Sequence, residues 1–336
     1  MTLSKPHPSP SLLALVGMVV VLATINPATA THPGLEQFIE RNAAETGFEA
    51  AELRSVLEGA EFQQAIIDSI TRPAEARPWH EYRQIFLGDP RIDGGVEFWR
   101  EHRELFDRIA EQLGVAPEFV LAIVGVETNY GRITGSYRVL DALVTLGFYY
   151  PRRGDFFSRE LAQFFRLSRE ESLPLEEVLG SYAGAMGVGQ FIPSSYRAYA
   201  VDFDDSGSRD LWRSLPDALG SVANYLKVHG WEAGRVPALP VTVAPPGIEQ
   251  DFAIKPAHTL AALAELGFEF DRAGLPPDTP ATVIELEGAQ GPEYWIGLNN
   301  FYVITRYNRS PLYAMAVTQL AEAIRDRAAS ESASAP

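Results

Sequence analysis

The sequence predicts a mainly α-helical, α+β protein, and three observations predict it. Apolar residues recur at helical spacing through most of the chain after residue 31. One stretch, from Phe119 to Val126, is apolar around its whole circumference, as a helix buried in a core is. Alternating, proline-bounded runs are confined to residues 236–305, so strands are expected only there, in a small inserted subdomain.

Residues 1–30 carry Lys5, an apolar run from Leu12 to Ile25 and the triplet Ala28-Thr29-Ala30. A charged start, a short apolar region and an A-x-A site together read as a secretory signal peptide, with the mature chain starting near Thr31. The run is too short to span a bilayer comfortably. The chain has no cysteine, hence neither a disulfide framework nor a thiol to lipidate, and a soluble periplasmic protein is expected. Removing Lys5 leaves 27 of the 28 Lys and Arg against 44 Asp and Glu, a net charge of 27 − 44 = −17. Nucleic acid is thereby excluded as a partner, because phosphate binding needs a basic face.

Leu35, Phe38 and Ile39 open a first amphipathic helix that closes near Gly47. Leu53, Val56 and Leu57 mark a second, and Phe62, Ile66, Ile67 and Ile70 a third that must end before Pro73. Residues 73–95 read as an ordered connector, because Trp79, Tyr82 and Phe86 favour burial. A longer helix is expected to carry Phe98, His102, Leu105, Phe106, Ile109 and Leu113 on one face and to stop at Gly114. His102 lies on that stripe as a packed side chain.

The buried helix starts after Pro117, a residue favoured in a first helical turn, and Gly131 is its expected stop. Near its end stands one carboxylate, Glu127. Burial and the negative end of the helix dipole both favour its protonated form, which a general acid needs. Two further stretches stand out. Tyr149-Tyr150-Pro151-Arg152-Arg153-Gly154 pairs arginines that can meet carboxylates bidentately. Ser181 to Tyr196 contains three glycines in six residues, suited to close approach of backbone to another chain or to a ligand. A helix from about Pro216 to Gly230 carries Tyr225 on the stripe Leu219, Val222, Leu226.

Alternating runs at Thr282–Leu286 and Phe301–Thr305 predict strands, with a short helix over Leu260–Gly267 between the proline-rich 236–247 and the first of them. A last helix places Tyr313, Val317, Leu320 and Ile324 on one face, and residues 329–336 lack core-forming side chains and are expected to be disordered.

The segments TRPAEARPWHEYRQIF, VGVETNYG, SYAGAMGVGQFIPSSY, DALGSVANYLKVHGW and NNFYVITRYN, in this order, resemble the membrane-bound lytic murein transglycosylase B family. The resemblance covers nearly all of the mature chain. It implies a lysozyme-like catalytic core at 101–235, a helical subdomain at 31–100 joined by 306–328, and the β-containing subdomain at 236–305. It also implies cleavage of the MurNAc–GlcNAc β-1,4 bond with 1,6-anhydro-MurNAc ends, with peptidoglycan glycan strands and stem peptides as partners. Residue by residue, Glu127 becomes the catalytic acid/base. Ser181, Gln190, Tyr225, Tyr307, Asn308 and Tyr313 line the cleft, and Arg152 and Arg153 meet the stem peptide. Family members usually carry a lipid-anchoring cysteine, and this chain has none. Two other readings stay open: a hydrolytic muramidase of lysozyme type, and a catalytically idle peptidoglycan-binding scaffold.

Catalysis is expected to need no cofactor, but a structural calcium site is expected at 202–217. Asp202-Phe203-Asp204-Asp205-Ser206-Gly207 is the opening half of an EF-hand loop, with oxygen ligands at alternate positions and glycine sixth. Arg213 stands where the closing glutamate belongs, so Asp217 is expected to close a site made with Asp202, Asp204, Ser206 and the Ser208 carbonyl.

Overall fold

The structure, a computed structural model, describes residues 32–334 apart from 73–75 and 249. The signal-peptide reading of residues 1–30 falls outside the described residues. The chain opens with α1 (Leu35–Thr46), α2 (Ala50–Glu58) and α3 (Gln64–Ile70), then a single turn, α4 (Trp79–Tyr82). Next come α5 (Asp89–Glu101), α6 (Arg103–Leu113) and α7 (Pro117–Thr128), the helix of Glu127. One long helix was expected through Phe98 and Leu113, but the chain breaks at His102, whose φ of −115° ends α5 and starts α6. The break keeps the apolar residues of both pieces inward, so periodicity alone does not show it.

Helix α7 is buried nearly all round, from Phe119 through Gly125, and it packs against α5, α6 and two later helices, α11 (Leu215–Val228) and α14 (Pro311–Ser334). The expected stop at Gly131 comes earlier. Asn129 takes the left-handed conformation (φ 51°) and its N–H bonds the Gly125 carbonyl, leaving Glu127 as the penultimate residue of the helix. Between α7 and α11 lie β1 (Tyr137–Arg138), α8 (Val139–Tyr149), α9 (Gly154–Glu171), β2 (Leu179–Gly180) and α10 (Pro193–Tyr199), with β1 and β2 paired antiparallel.

The inserted subdomain is a five-stranded antiparallel sheet in the order β4-β6-β7-β3-β5, with α12 (Leu260–Glu265) against it. Its strands are β3 (Ala238–Val243), β4 (His258–Thr259), β5 (Glu269–Phe270), β6 (Pro280–Gly288) and β7 (Gly291–Gly297). Leu239, Leu260, Leu263, Phe268, Val283 and Ile296 give it a small core of its own. The strand expected at Phe301–Thr305 is instead part of α13 (Asn299–Tyr307). β-branched residues suggested strand, but Asn300, Phe301, Val303, Ile304 and Thr305 are buried together on a helical face. Packing overrides propensity here.

The tail also differs from expectation, since α14 continues through Ser334. Alanine-rich sequence extends an existing helix without a new nucleation cost, and Arg100 pairs with Glu331 at 2.5 Å. Helix α14 packs along α7 and α5 and returns Tyr313, from near the chain's end, to the end of α7.

Candidate active site

The site forms where the C-terminal end of α7 meets α13 and α14. Tyr313 donates its hydroxyl to Glu127 Oε1 at 2.6 Å, across 186 residues of sequence. Tyr307 donates to the carbonyl of Gly189, and Tyr225 to the carbonyl of Arg306, each at 2.5 Å. The rings of Tyr225 and Tyr307 meet edge to face at 4.8 Å, and Phe191 packs against both. Behind Tyr225, His229 stacks at 4.1 Å and donates Nδ1–H to the Tyr225 carbonyl.

These phenols are held neutral. Burial pushes the hydroxyls of Tyr307 and Tyr313 well above the ordinary tyrosine range, and the neighbouring charge of Glu127 pushes them further. Burial likewise pushes Tyr225 up to about 12. Tyr82 is a further group that raises Tyr313, so it belongs to the same constellation. Sequence reasoning gave Tyr82 only a packing role; the signal lay in its place within the PWHEY segment, whose aromatics are buried together.

The glycine-rich stretch meets these phenols at Gly189. A Cβ on Gly187 would lie 2.5 Å from the Leu211 carbonyl oxygen, and one on Gly189 would lie 2.9 Å from Val222, so the backbone approaches there as only glycine allows. Gln190 is held left-handed (φ 53°), an uncommon state for a side-chain-bearing residue, and donates to the carbonyls of Thr134 and Gly187. Ser181 Oγ accepts from the N–H of Ala183 and of Ala185. Asn308 follows α13, and its Oδ1 accepts from Ser310 N. Arg152 and Arg153 are exposed on the turn between α8 and α9, where Arg153 lies 4.4 Å over Phe156. They stand on a different element from the tyrosines.

Among the described residues, three acids are buried, Asp141, Glu160 and Asp217. Asp141, the next acid after Glu127, accepts from Arg138 Nε and Nη2, Glu61 N and Gln63 Nε2. Glu160 accepts from the N–H and hydroxyl of Ser194 at the start of α10. Asp217 accepts from Phe203 N and Asp210 N. Each of these is committed to holding a loop or helix end.

The 202–217 loop gathers acids of its own. One oxygen each of Asp202, Asp204 and Asp217 lies within 4.8 Å of the others. Asp202 accepts from the N–H of Ser206 and of Gly207, the latter at φ 93°, and Ser206 Oγ faces the Ser208 carbonyl at 3.3 Å. The hydroxyls of Ser214 and Ser206 hold Asp204 below the usual carboxylate range, while burial pushes Asp217 up. Three hard oxygen donors so close together repel one another and suit a divalent cation of calcium's size.

Comparison with known proteins now gives these features a family. Residues 30–322 match the model of the transglycosylase SLT domain. The chain is 40% identical over 311 residues to the membrane-bound lytic murein transglycosylase B of Escherichia coli K12, covering 88% of this chain and 83% of that protein. It superposes on the soluble lytic transglycosylase SltB1 of Pseudomonas aeruginosa with a TM-score of 0.80 at 45% identity, over 88% of this chain and 99% of the other. The lytic transglycosylase Slt35 of E. coli, solved in complex with calcium, matches with a TM-score of 0.80 at 38% identity, over 90% and 96%. The match over residues 30–322 and the 40% identity across most of both chains show the family: the chain belongs to the SLT family of lytic transglycosylases.

Proposed function

We propose that this enzyme cleaves the MurNAc–GlcNAc bond of peptidoglycan with Glu127 as its single acid/base. The observation that carries the reading is the Tyr313–Glu127 hydrogen bond inside a cluster of neutral phenols. Glycosidases that use two carboxyl groups place them roughly 5 Å apart, or 6.5–9.5 Å apart for inversion. Here the buried acids of the core serve architecture, and a single-acid site works when the substrate brings the nucleophile.

Protonated Glu127 gives its proton to the glycosidic oxygen as the C1–O bond breaks. The N-acetyl group of MurNAc stabilises the cationic sugar. Glu127, now a carboxylate supported by the Tyr313 hydroxyl, takes the proton of the C6 hydroxyl as O6 closes on C1. The product is a 1,6-anhydro-MurNAc end, and no water is consumed. Ser181, Gln190, Asn308, Tyr225 and Tyr307 shape the cleft, and Arg152 and Arg153 meet the carboxylates of stem peptides. Digestion of purified sacculi tests the reaction by product mass. Anhydro ends, lighter by one water than hydrolytic ends, are expected, and reducing MurNAc ends would assign a hydrolytic muramidase instead.

Calcium is proposed as a structural ion held by Asp202, Asp204, Asp217, Ser206 and the Ser208 carbonyl; bound there, it offsets the mutual repulsion of the three carboxylates. The mature protein is proposed to work in the periplasm as a soluble enzyme, supported by the A-x-A site and the absence of cysteine. Cell fractionation tests this, and recovery in salt-resistant membranes contradicts it.

A further inference from the structure

We propose that Glu293, on the β6–β7 hairpin, is a positioning residue for the catalytic cleft: it locks α4 and the adjoining Arg83 against α14, the helix that carries Tyr313. The inference rests on Glu127 as the acid of the reaction above and assigns the inserted sheet a part in it.

Helix α4 is four residues long, and a single turn does not hold itself in water. Its position is set by what surrounds it. From one side the hairpin reaches it. Trp79 Nε1 donates to Glu293 Oε2 at 3.2 Å, and His80 Nδ1 donates to the Glu287 carbonyl at 3.3 Å. Just past the helix, Arg83 lies 3.8 Å from Glu293 Oε2 and 5.3 Å over the Trp79 ring. From the other side Arg83 donates to Gln319 Oε1 at 3.0 Å. Gln319 sits on α14, less than two turns beyond Tyr313. The short segment is therefore clamped between the hairpin and the helix that carries the phenol bonded to Glu127.

The hairpin is shaped for this contact. A Cβ at Gly288 would lie 2.7 Å from both Cγ and Oε1 of Glu293, so the glycine leaves room for the glutamate to fold back towards α4. Glu293 and Arg83 are each more than a third exposed, so their ion pair adds little to stability. Trp79, by contrast, is fully buried, and its indole N–H needs an acceptor. Glu293 is the acceptor. Local order at α4, rather than global stability, is what the arrangement secures.

The test compares Glu293→Leu, Glu293→Gln, Trp79→Phe and the Leu/Phe double variant in the full mature chain, by sacculus digestion and amide hydrogen exchange. Glu293→Leu is expected to lower kcat about tenfold with KM nearly unchanged, because a small misplacement at a cleft costs turnover. Exchange over residues 79–86 should rise while α7 stays protected. Gln, whose amide oxygen still accepts from the indole, should restore most of the turnover. The double variant should be no worse than either single one, since both break one link. Parental kcat in Glu293→Leu, unchanged exchange at 79–86, or simple additivity in the double variant would each overturn the proposal. Product mass is read in the same digests, so failure of the anhydro reaction is seen separately, and exchange still decides the clamp.

Discussion

Glu127 and Asp217 are both carboxylates at helix ends, and the ends differ. Asp217 sits in the first turn of α11, where the helix dipole favours an anion, fully buried, with its oxygens accepting from the backbone N–H of Phe203 and Asp210. Glu127 sits in the last turn of α7, where the dipole disfavours an anion, half-buried, with a phenol as its partner. Backbone donors cannot leave, so Asp217 is fixed for architecture. Glu127 instead has as partner a phenol on a separate helix, at the end of the dipole that disfavours an anion. The contrast predicts that damage at one end removes chemistry and at the other removes stability.

The sharpest break is Glu127→Gln. Turnover should fall by about 10³-fold or more, because an amide is far too weak an acid to protonate the glycosidic oxygen, while the melting temperature stays near that of the parent. An active Glu127→Gln protein would dissolve the contrast. Asp217→Ala should do the reverse, costing about 3 kcal/mol of stability by orphaning buried N–H groups, with kcat retained in the folded fraction. Urea unfolding measures this, and a cost below about 0.5 kcal/mol would reduce Asp217 to an ordinary surface acid.

Calcium sharpens the same side of the comparison. At a hundredfold excess over its Kd it should add about 2.7 kcal/mol of stability, and Asp202→Ala should abolish the gain. Superimposed melts with calcium and with chelator would mean that the loop holds no ion. The smallest effect is expected from Tyr225→Phe, which keeps the ring stack on His229 but deletes the bond to the Arg306 carbonyl, at about 1 kcal/mol. A loss of turnover larger than the loss of stability would put the Tyr225 hydroxyl on the substrate. Because the fold raises Tyr225 from 10 to about 12, it favours the neutral phenol. That contribution is fully present below pH 10 and is lost as pH rises through about 12, so the Phe variant should show less alkaline destabilisation.

Much of this was legible in the sequence, for physical reasons that also mark where legibility ends. Helix α7 and its acid could be read because an all-round apolar run has one use, and the inserted sheet because proline-bounded alternation was confined to one stretch. Phe301–Thr305 misled, since the same β-branched residues serve a strand or a buried helix face and only tertiary contact decides. The break at His102 keeps both apolar faces inward and leaves no trace in periodicity. Tyr225 and Gln190 were read as cleft residues, yet their polar atoms bond backbone carbonyls in the folded chain, which no spacing rule reveals. Tyr82 was read for burial alone, because its relation to Tyr313 spans 231 residues of sequence, the interval from 82 to 313.

The return of α14 to α7 has a consequence for the order in which this end of α7 is completed. Chains emerge N-terminus first, and the phenol that meets Glu127 is made 186 residues after it. A chain arrested anywhere before that helix holds the carboxyl without the phenol bonded to it. The pairing that completes this end of α7 therefore waits until α14 has been made.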